Sequence, residues 1–161
     1  MSAKRILTIG EPLLRSISHP VKKFDARLSM ILRDMAQTMY DAQGVGLAAP
    51  QVGLMRRIVV IDVGEGLVEL INPEVIDAQG EVAMTEGCLS VPGRRGCVVR
   101  PGIVSVRAQD KKGKFFEVKG EGLYARALQH EIDHLDGVLY VDKMSYEVFD
   151  DDGTQQEEAA I

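Results

Sequence analysis

The segment His130–His134 places two histidines four residues apart, within a stretch whose apolar residues recur at helical spacing. An α-helix brings positions i and i+4 to the same face, so both imidazoles can bind one metal ion. Glu131 follows the first histidine and can reach a water molecule held by that ion, which makes it a candidate proton acceptor. We predict that this helix runs from Leu123 to Leu135 and ends near Gly137. The chain must therefore fold so that another segment brings a further ligand to the same face of the helix.

An open metal site usually has three protein ligands, and the spacing does not identify the third one. A third histidine three residues after Gly137 would place the chain with one large group of metalloproteases, but that position is Tyr140. A downstream glutamate is also disfavoured, because the available ones lie in a polar C-terminal stretch: Glu147, Glu157 and Glu158.

The remaining candidates for the third ligand are His19, Cys88 and Cys97, and composition alone does not choose among them. A thiolate is a strong ligand for a borderline divalent metal. Cys88 stands in a glycine-flanked turn suited to presenting a side chain, whereas Cys97 opens a strand-like run. We therefore favour Cys88 and expect His19 to be a loop residue.

The composition predicts a single globular domain, because 161 residues with 45% apolar and 27% charged side chains can bury one core. No apolar run approaches the roughly 20 residues that cross a bilayer, and the N-terminus lacks a secretory signal. The two cysteines do not resemble a disulfide framework. We expect a cytoplasmic protein with no membrane association.

The net charge of −5 comes from the C-terminal end. Six acidic residues follow the last lysine: Glu147, Asp150, Asp151, Asp152, Glu157 and Glu158. The rest of the chain has 18 acids and 19 bases, so we expect no broad basic face and no direct DNA binding. We expect one catalytic domain over residues 1–146 and an acidic, mobile tail over residues 147–161.

Hydrophobic periodicity predicts an α+β fold. Residues 25–43 carry apolar side chains at three- and four-residue steps, which is typical of an amphipathic helix capped by Asp25. From about residue 57 to 118, short β-branched runs alternate with turn residues, which predicts strands, with a hairpin loop at 110–114. Residues 138–141 fit a last short strand. This order predicts mostly antiparallel short sheets packed around a central helix that carries the two histidines.

Three segments in series resemble the signature of the peptide deformylases. They are residues 44–53 (Gly-Val-Gly-Leu-Ala-Ala-Pro-Gln-Val-Gly), residues 86–90 (Glu-Gly-Cys-Leu-Ser) and residues 129–134 (Gln-His-Glu-Ile-Asp-His). Their order and separation also match, and residues 10–15 are similar to the N-terminal segment of that family. Many relatives have a C-terminal helix, whereas this chain ends in acidic, glycine-containing sequence.

The resemblance implies a metal-dependent hydrolase that removes the formyl group from N-formylmethionine of nascent polypeptides and releases formate. Cys88, His130 and His134 would hold one divalent metal ion, and Glu131 would transfer the proton. Fe(II) is then expected in the cell, with Ni, Co or Zn as substitutes. The partners would be formylated nascent peptides at the ribosome.

The resemblance also implies roles around that site. The Gln51 amide and the Leu89 backbone N–H would lie beside the carbonyl oxygen of the substrate. The residues expected to bind substrate are Gly46, at the peptide backbone, and, near the methionine pocket, Val45, Leu123 and Arg126. The Arg126 stem is expected to line the pocket while its charge reaches water.

Metal-bound imidazoles commonly donate their other N–H to a carboxylate or a carbonyl. The candidates for orienting them in this way are Glu86, Arg100 and Asp133.

Three other interpretations of the motif remain: a general metallopeptidase or amidase, a structural metal module, and a Cys–His protease with Cys88 as nucleophile. A structural site usually closes with four protein ligands and has no use for Glu131. A Cys–His protease leaves the paired histidines unexplained.

Overall fold

The computed structural model describes residues 3–149 and residue 161. In chain order, the helices and strands are α1 (Ala26–Asp41), β1 (Gly46–Ala48), β2 (Ile58–Ile61), β3 (Val68–Gln79), β4 (Val82–Cys88), β5 (Val91–Arg100), β6 (Ile103–Gln109), β7 (Phe115–Glu121), α2 (Gly122–Leu135) and β8 (Tyr146–Val148). Short 3₁₀ helices lie at Pro12–Arg15, Ala49–Val52 and Tyr140–Asp142.

The strands form two antiparallel sheets. The larger has the order β1-β2-β3-β6-β7 and the smaller has the order β4-β5-β8. This confirms the predicted α+β class. The predicted hairpin loop joins β6 to β7, where the Asp110 N–H donates to the Lys114 carbonyl at 2.9 Å.

The larger sheet lies between the two α-helices because β2 is apolar on both faces. Val59 and Ile61 pack in one cluster with residues of α2, whereas Ile58 and Val60 pack in a second cluster with residues of α1. Successive side chains of a strand point to opposite faces, so a continuous apolar run fits a strand that is covered on both sides. Helix α2, which carries the two histidines, is thereby fixed against the sheet.

The prediction of an amphipathic helix after Asp25 is confirmed by α1. It begins after Asp25, whose side chain accepts a hydrogen bond from the Leu28 N–H at 3.1 Å. Its buried residues are Leu28, Leu32, Met35, Ala36, Thr38 and Met39. No helix among the described residues is both long and apolar enough to cross a bilayer.

The prediction of a strand at residues 138–141 is wrong. Tyr140–Asp142 is a 3₁₀ helix, and the Asp142 carboxylate accepts a hydrogen bond from the Leu139 N–H at 3.0 Å. A short apolar run does not distinguish a strand from a helical turn by its period. The last strand is β8, which pairs with β5.

The C-terminal end also departs from the expected boundary at residue 146. Glu147 lies within β8 and accepts a hydrogen bond from Arg94 Nε at 2.9 Å, so it belongs to the folded body. Residues 150–160 of the expected tail lie outside the described residues. Ile161 is buried, with 1% of its surface exposed, and its N–H donates to the Gly87 carbonyl at 3.2 Å.

Candidate metal centre

Helix α2 carries His130 and His134 into the interior. Their ring centroids are 5.0 Å apart, and neither residue is more than 2% exposed. Gly137 follows the end of the helix with a φ of +74°, and a Cβ at this position would lie 2.6 Å from the Arg15 carbonyl oxygen. Glycine is therefore required for the tight exit that the sequence predicts here.

Cys88 reaches the two histidines from the smaller sheet. It is the last residue of β4, at a shift in the β4–β5 register, and its Sγ lies 3.4 Å from His134 Nε2. One ligand atom each from Cys88, His130 and His134 lie within 4.8 Å of one another. In the part of the chain that the structure describes, this is the one group of three or more His, Cys, Asp or Glu side chains with such geometry.

The other two candidates for the third ligand lie elsewhere. His19 is exposed and forms an isolated bridge with Arg56. Cys97 is buried within β5, opposite Thr85 of β4. Neither belongs to the group of metal-binding atoms.

The three side chains fit a tetrahedral divalent ion. Metal–sulfur bonds of about 2.3 Å and metal–nitrogen bonds of about 2.0–2.1 Å, at tetrahedral angles, place sulfur and nitrogen roughly 3.5 Å apart. The Cys88–His134 distance of 3.4 Å agrees with that value. His130 Nε2 is also buried without a hydrogen-bond partner among the described residues, and an ion would provide that partner.

Glu86 holds His130 in this orientation. It is fully buried, and its Oε1 lies 2.8 Å from His130 Nδ1. An Nδ1–H that donates to this carboxylate leaves the Nε2 lone pair free for a metal. Arg100 donates to both Glu86 oxygens, at 2.6 and 3.0 Å, and to Asp133 Oδ2 at 2.9 Å. The predicted orienting residues therefore form one network around His130.

This network keeps Glu86 ionised despite its burial. Burial alone would raise the pKa of the Glu86 carboxyl, but the bonds and charges of His130 and Arg100 outweigh it and hold the pKa well below its usual value. Burial lowers the pKa of His130, but Cys88 and then the Glu86 carboxylate outweigh burial and raise it well above its usual value, so a divalent ion would bind Nε2 with release of a proton. Burial lowers the pKa of His134 well below its usual value, which favours the neutral imidazole that a metal requires.

Arg126 is not placed as the sequence predicts. Its guanidinium does not reach water, since the residue is only 3% exposed. The group donates instead to Glu86 Oε2 at 2.8 Å, to the Val98 carbonyl at 2.7 Å and to the Val82 carbonyl at 2.8 Å. A buried carboxylate and two strand carbonyls therefore bind the guanidinium in place of water.

Glu131 has the opposite environment to Glu86. It is fully buried, and neither of its oxygens has a hydrogen-bond partner among the described residues. Burial, as the largest effect, raises the pKa of Glu131 to about 7. A carboxyl group with a pKa near neutrality can both accept and return a proton.

Gly46 of β1 lies directly against this carboxylate. A Cβ on Gly46 would fall 2.5 Å from Glu131 Oε2, a distance that real side chains do not tolerate. The absence of a side chain at this position therefore allows β1 to approach α2 beside the metal-binding group.

Gln51 lies on the other side of Cys88 and is fully buried. Its Oε1 accepts the Ala48 N–H at 2.9 Å, which fixes the amide so that Nε2 donates to Ser90 Oγ at 3.0 Å and towards Cys88 Sγ at 3.7 Å. The amide donor thus points at the metal-binding cysteine. Leu89 follows Cys88 directly, and its side chain packs against the α1 cluster.

Two edge strands flank the site. β1 is an edge of the larger sheet and β4 is an edge of the smaller sheet. At the β4 edge, the Gly87 carbonyl accepts a hydrogen bond from the Ile161 N–H at 3.2 Å. Val45 and Leu123, two of the expected substrate-binding residues, are partly exposed in this region.

Two residues that contact the site were not singled out from the sequence as functional. Ser90 is fully buried, and its N–H donates to Cys88 Sγ at 3.4 Å. The Tyr140 ring stacks on His130, with centroids 6.1 Å apart. Ser90 had a signal, since it lies two residues after the cysteine in a turn, but the position of Tyr140 depends on the tertiary fold.

Comparisons with known proteins agree with this geometry. The family model described as polypeptide deformylase matches residues 3–149. The chain is 54% identical over 144 residues to a peptide deformylase of Alkaliphilus metalliredigens, covering 89% of this chain and 98% of that protein. It is 56% identical over 144 residues to that of Caldanaerobacter subterraneus subsp. tengcongensis, covering 89% and 91%.

The fold is likewise similar to a solved structure, that of a peptide deformylase from Legionella pneumophila. The two share 49% sequence identity with a TM-score of 0.86, over 89% of this chain and 86% of that chain. Because the family model and these relatives cover nearly all of the described residues, the chain belongs to the polypeptide deformylase family.

Proposed function

We propose that this protein is a peptide deformylase, a metal-dependent hydrolase that removes the N-formyl group from the N-terminal formylmethionine of nascent polypeptides and releases formate. The observation that carries this proposal is the buried group of Cys88, His130 and His134 beside the unpartnered carboxylate of Glu131. Family membership supplies the substrate class.

A divalent ion held by Cys88, His130 and His134 would polarise the formyl carbonyl and lower the pKa of a water molecule. Glu131 takes a proton from that water as it attacks the formyl carbon. The same carboxyl then returns the proton to the departing amine nitrogen, so the C–N bond breaks to give formate and a free N-terminus. The raised pKa of Glu131 suits both transfers.

Negative charge develops on the formyl oxygen during this attack. We place the Gln51 amide and the Leu89 backbone N–H beside that oxygen, where they donate hydrogen bonds to it. The support for Gln51 is its fixed amide, which is held by Ala48 and directed at Cys88. Ser90 shares the amide donor and so helps to hold its direction.

The substrate backbone fits the space between the edge strands β1 and β4, with Gly46 against the peptide and Val45 and Leu123 near the methionine side chain. An extended peptide adds to sheet edges through main-chain hydrogen bonds. Glu86, Arg100 and Asp133 act at a distance from the substrate, by holding His130. Helix α2, in contact with the larger sheet and bonded to β4 of the smaller one, acts as the central helix of one catalytic domain.

We propose Fe(II) as the ion in the cell, with Ni, Co or Zn able to replace it in purified protein. One thiolate and two imidazoles bind all of these borderline ions, and affinity alone does not select among them. The nascent peptide would be met at the ribosome in the cytoplasm, with no direct binding to DNA.

The proposal is tested by measuring the release of the free N-terminal amine from matched formyl-Met and acetyl-Met tripeptides, together with formate from the first and acetate from the second, with protein prepared anaerobically and its metal content determined. The formyl substrate should be cleaved about 10- to 200-fold faster, since a closely fitted pocket rejects one extra methyl group by roughly that factor. Equal rates on both peptides would indicate a general amidase. Full activity after removal of the metal would exclude a metal-dependent mechanism and would favour a mechanism in which Cys88 is the nucleophile.

A further inference from the structure

Arg126 makes three buried hydrogen bonds that the catalytic scheme does not use. It donates to the Glu86 carboxylate and to two backbone carbonyls, that of Val82 on β4 and that of Val98 on β5. Val82 and Val98 lie on neighbouring antiparallel strands. One side chain of α2 therefore connects two of the three strands of the smaller sheet, β4 and β5, to the helix that carries the histidines.

Glu86 connects Arg126 to the metal-binding group. Its Oε1 binds His130 Nδ1, and its Oε2 binds the guanidinium of Arg126. Arg126 and His130 are four residues apart and so lie one turn apart on the same face of α2. The same carboxylate is thus gripped at two successive turns of the helix, and the direction of His130 depends on both contacts.

Arg126 is one of the two buried cations that compensate the Glu86 carboxylate, and Arg100 is the other. Asp133 pairs with Arg100 and with the half-exposed Lys143, so Arg126 is the cation of this network that pairs with Glu86 alone. Removal of one partner from a buried ionic network leaves an uncompensated charge, and the network then rearranges or admits water. The planar guanidinium can donate in three directions at once, which an ammonium group on a flexible stem does not reproduce.

We propose that Arg126 is a positioning residue of the metal site: by anchoring Glu86 and the two strand carbonyls to α2, it holds the imidazole of His130 in its metal-binding orientation, and it does not bind the methionine side chain. This inference rests on the proposed function for its effect on turnover. Its effect on metal retention is independent of any substrate.

The test compares Arg126→Met, which keeps the length and apolar volume of the side chain, with Arg126→Lys, which keeps the charge. Arg107→Met is the matched control, because Arg107 is exposed on β6 and stacks on Phe115, away from the metal-binding group. Metal retention is measured by competition with a chelator, and the geometry of the site by the visible spectrum of Co(II)-loaded protein. Steady-state kinetics with a formyl-Met peptide separate kcat from KM.

Arg126→Met should lose its metal to the chelator about 10- to 100-fold more readily, the usual effect of removing a residue that orients a metal ligand. Its Co(II) spectrum should shift and kcat should fall, with KM changed by less than about twofold. Arg126→Lys should show the same pattern to a smaller extent, and it decides the question if Arg126→Met does not fold. The control should match the wild-type protein in all three measurements.

A rise in KM with wild-type metal retention and an unchanged Co(II) spectrum would overturn the inference, because it would place Arg126 in the methionine pocket. Wild-type behaviour of both variants would overturn it as well. If the wild-type protein released no formate, the proposed function would fail, and the metal-retention result would still decide the role of Arg126.

Discussion

Glu131 and Glu86 are two buried carboxylates close to the same histidine, and their surroundings give them opposite properties. Burial raises the pKa of Glu86, but its contacts with His130 and Arg100 outweigh burial and lower that pKa below its usual value. Glu131 has no hydrogen-bond partner among the described residues, and burial raises its pKa to about 7. A carboxylate with a lowered pKa is suited to holding a ligand, and one with a pKa near neutrality is suited to moving a proton. The sequence alone does not distinguish these two roles.

Glu131→Gln should therefore abolish proton transfer without removing a metal ligand. We expect a fall in kcat of about 10²- to 10⁴-fold, the usual contribution of a general acid–base, with metal content unchanged. Formate release and elemental analysis of the same preparation measure the two properties. Glu121→Gln, at an exposed glutamate just before α2, is the control and should behave as wild type. Loss of both metal and turnover in Glu131→Gln would favour a structural role for the site.

At the scale of single elements, the close approach of β1 to α2 can be tested at Gly46. Gly46→Ala should displace the Glu131 carboxylate, because the new Cβ would lie 2.5 Å from Oε2. We expect kcat to fall at least about tenfold, since displacement of a reacting group by an ångström has effects of this size or larger. Gly102→Ala is the matched control, because its Cβ would meet only the exposed side chain of Val82, at 2.8 Å. Equal activity of the two variants would mean that Glu131 moves aside without cost.

Helix α1 offers the reverse case, an element that supports the fold and supplies no residue to the metal-binding group. Asp25→Ala removes the hydrogen bond to the Leu28 N–H and should lower the free energy of unfolding by about 1 kcal/mol. Urea denaturation measures this change, and Asp25→Asn, which can still cap the helix, should restore most of it. The kcat/KM for a formyl-Met peptide should stay at the wild-type value, and a clear decrease would show that α1 is coupled to the site.

At the scale of the whole molecule, the contribution of the C-terminal end to stability can be tested, because the Ile161 side chain is buried. A chain ending at Phe149 should keep its turnover, because every residue of the proposed site lies within residues 3–149. It should lose about 1–2 kcal/mol of unfolding free energy, since burial of an isoleucine side chain contributes about 1.5–3 kcal/mol and part of this is offset by the entropy of ordering the chain.

Full-length Ile161→Ser separates the side chain from the rest of the C-terminal segment in this experiment. It should reproduce most of the loss, as measured by thermal unfolding. If the shortened protein lost its metal, the folded catalytic unit would have to extend beyond residue 149.

Local spacing determined the features that depend on one element. The positions of His130 and His134 on one helical face, the capped amphipathic helix after Asp25 and the hairpin at 110–114 follow from backbone geometry, which is the same wherever such a segment occurs. The glycine-flanked turn around Cys88 favoured this residue as the third ligand, and the resemblance of three short segments to a known family implied the same residue, because a turn and a short motif are both local features.

The tertiary structure was needed wherever two distant elements meet. The charge of Arg126 was expected in water because the sequence does not show that a carboxylate and two strand carbonyls surround that face of α2. The apolar run at 138–141 was expected to be a strand, but Tyr140–Asp142 forms a 3₁₀ helix. In this conformation Tyr140 stacks on His130, a contact between distant parts of the chain that the sequence does not show. Helical spacing is set by hydrogen bonds between near neighbours in the chain, whereas the surroundings of a buried charge are set by whichever segments pack against it.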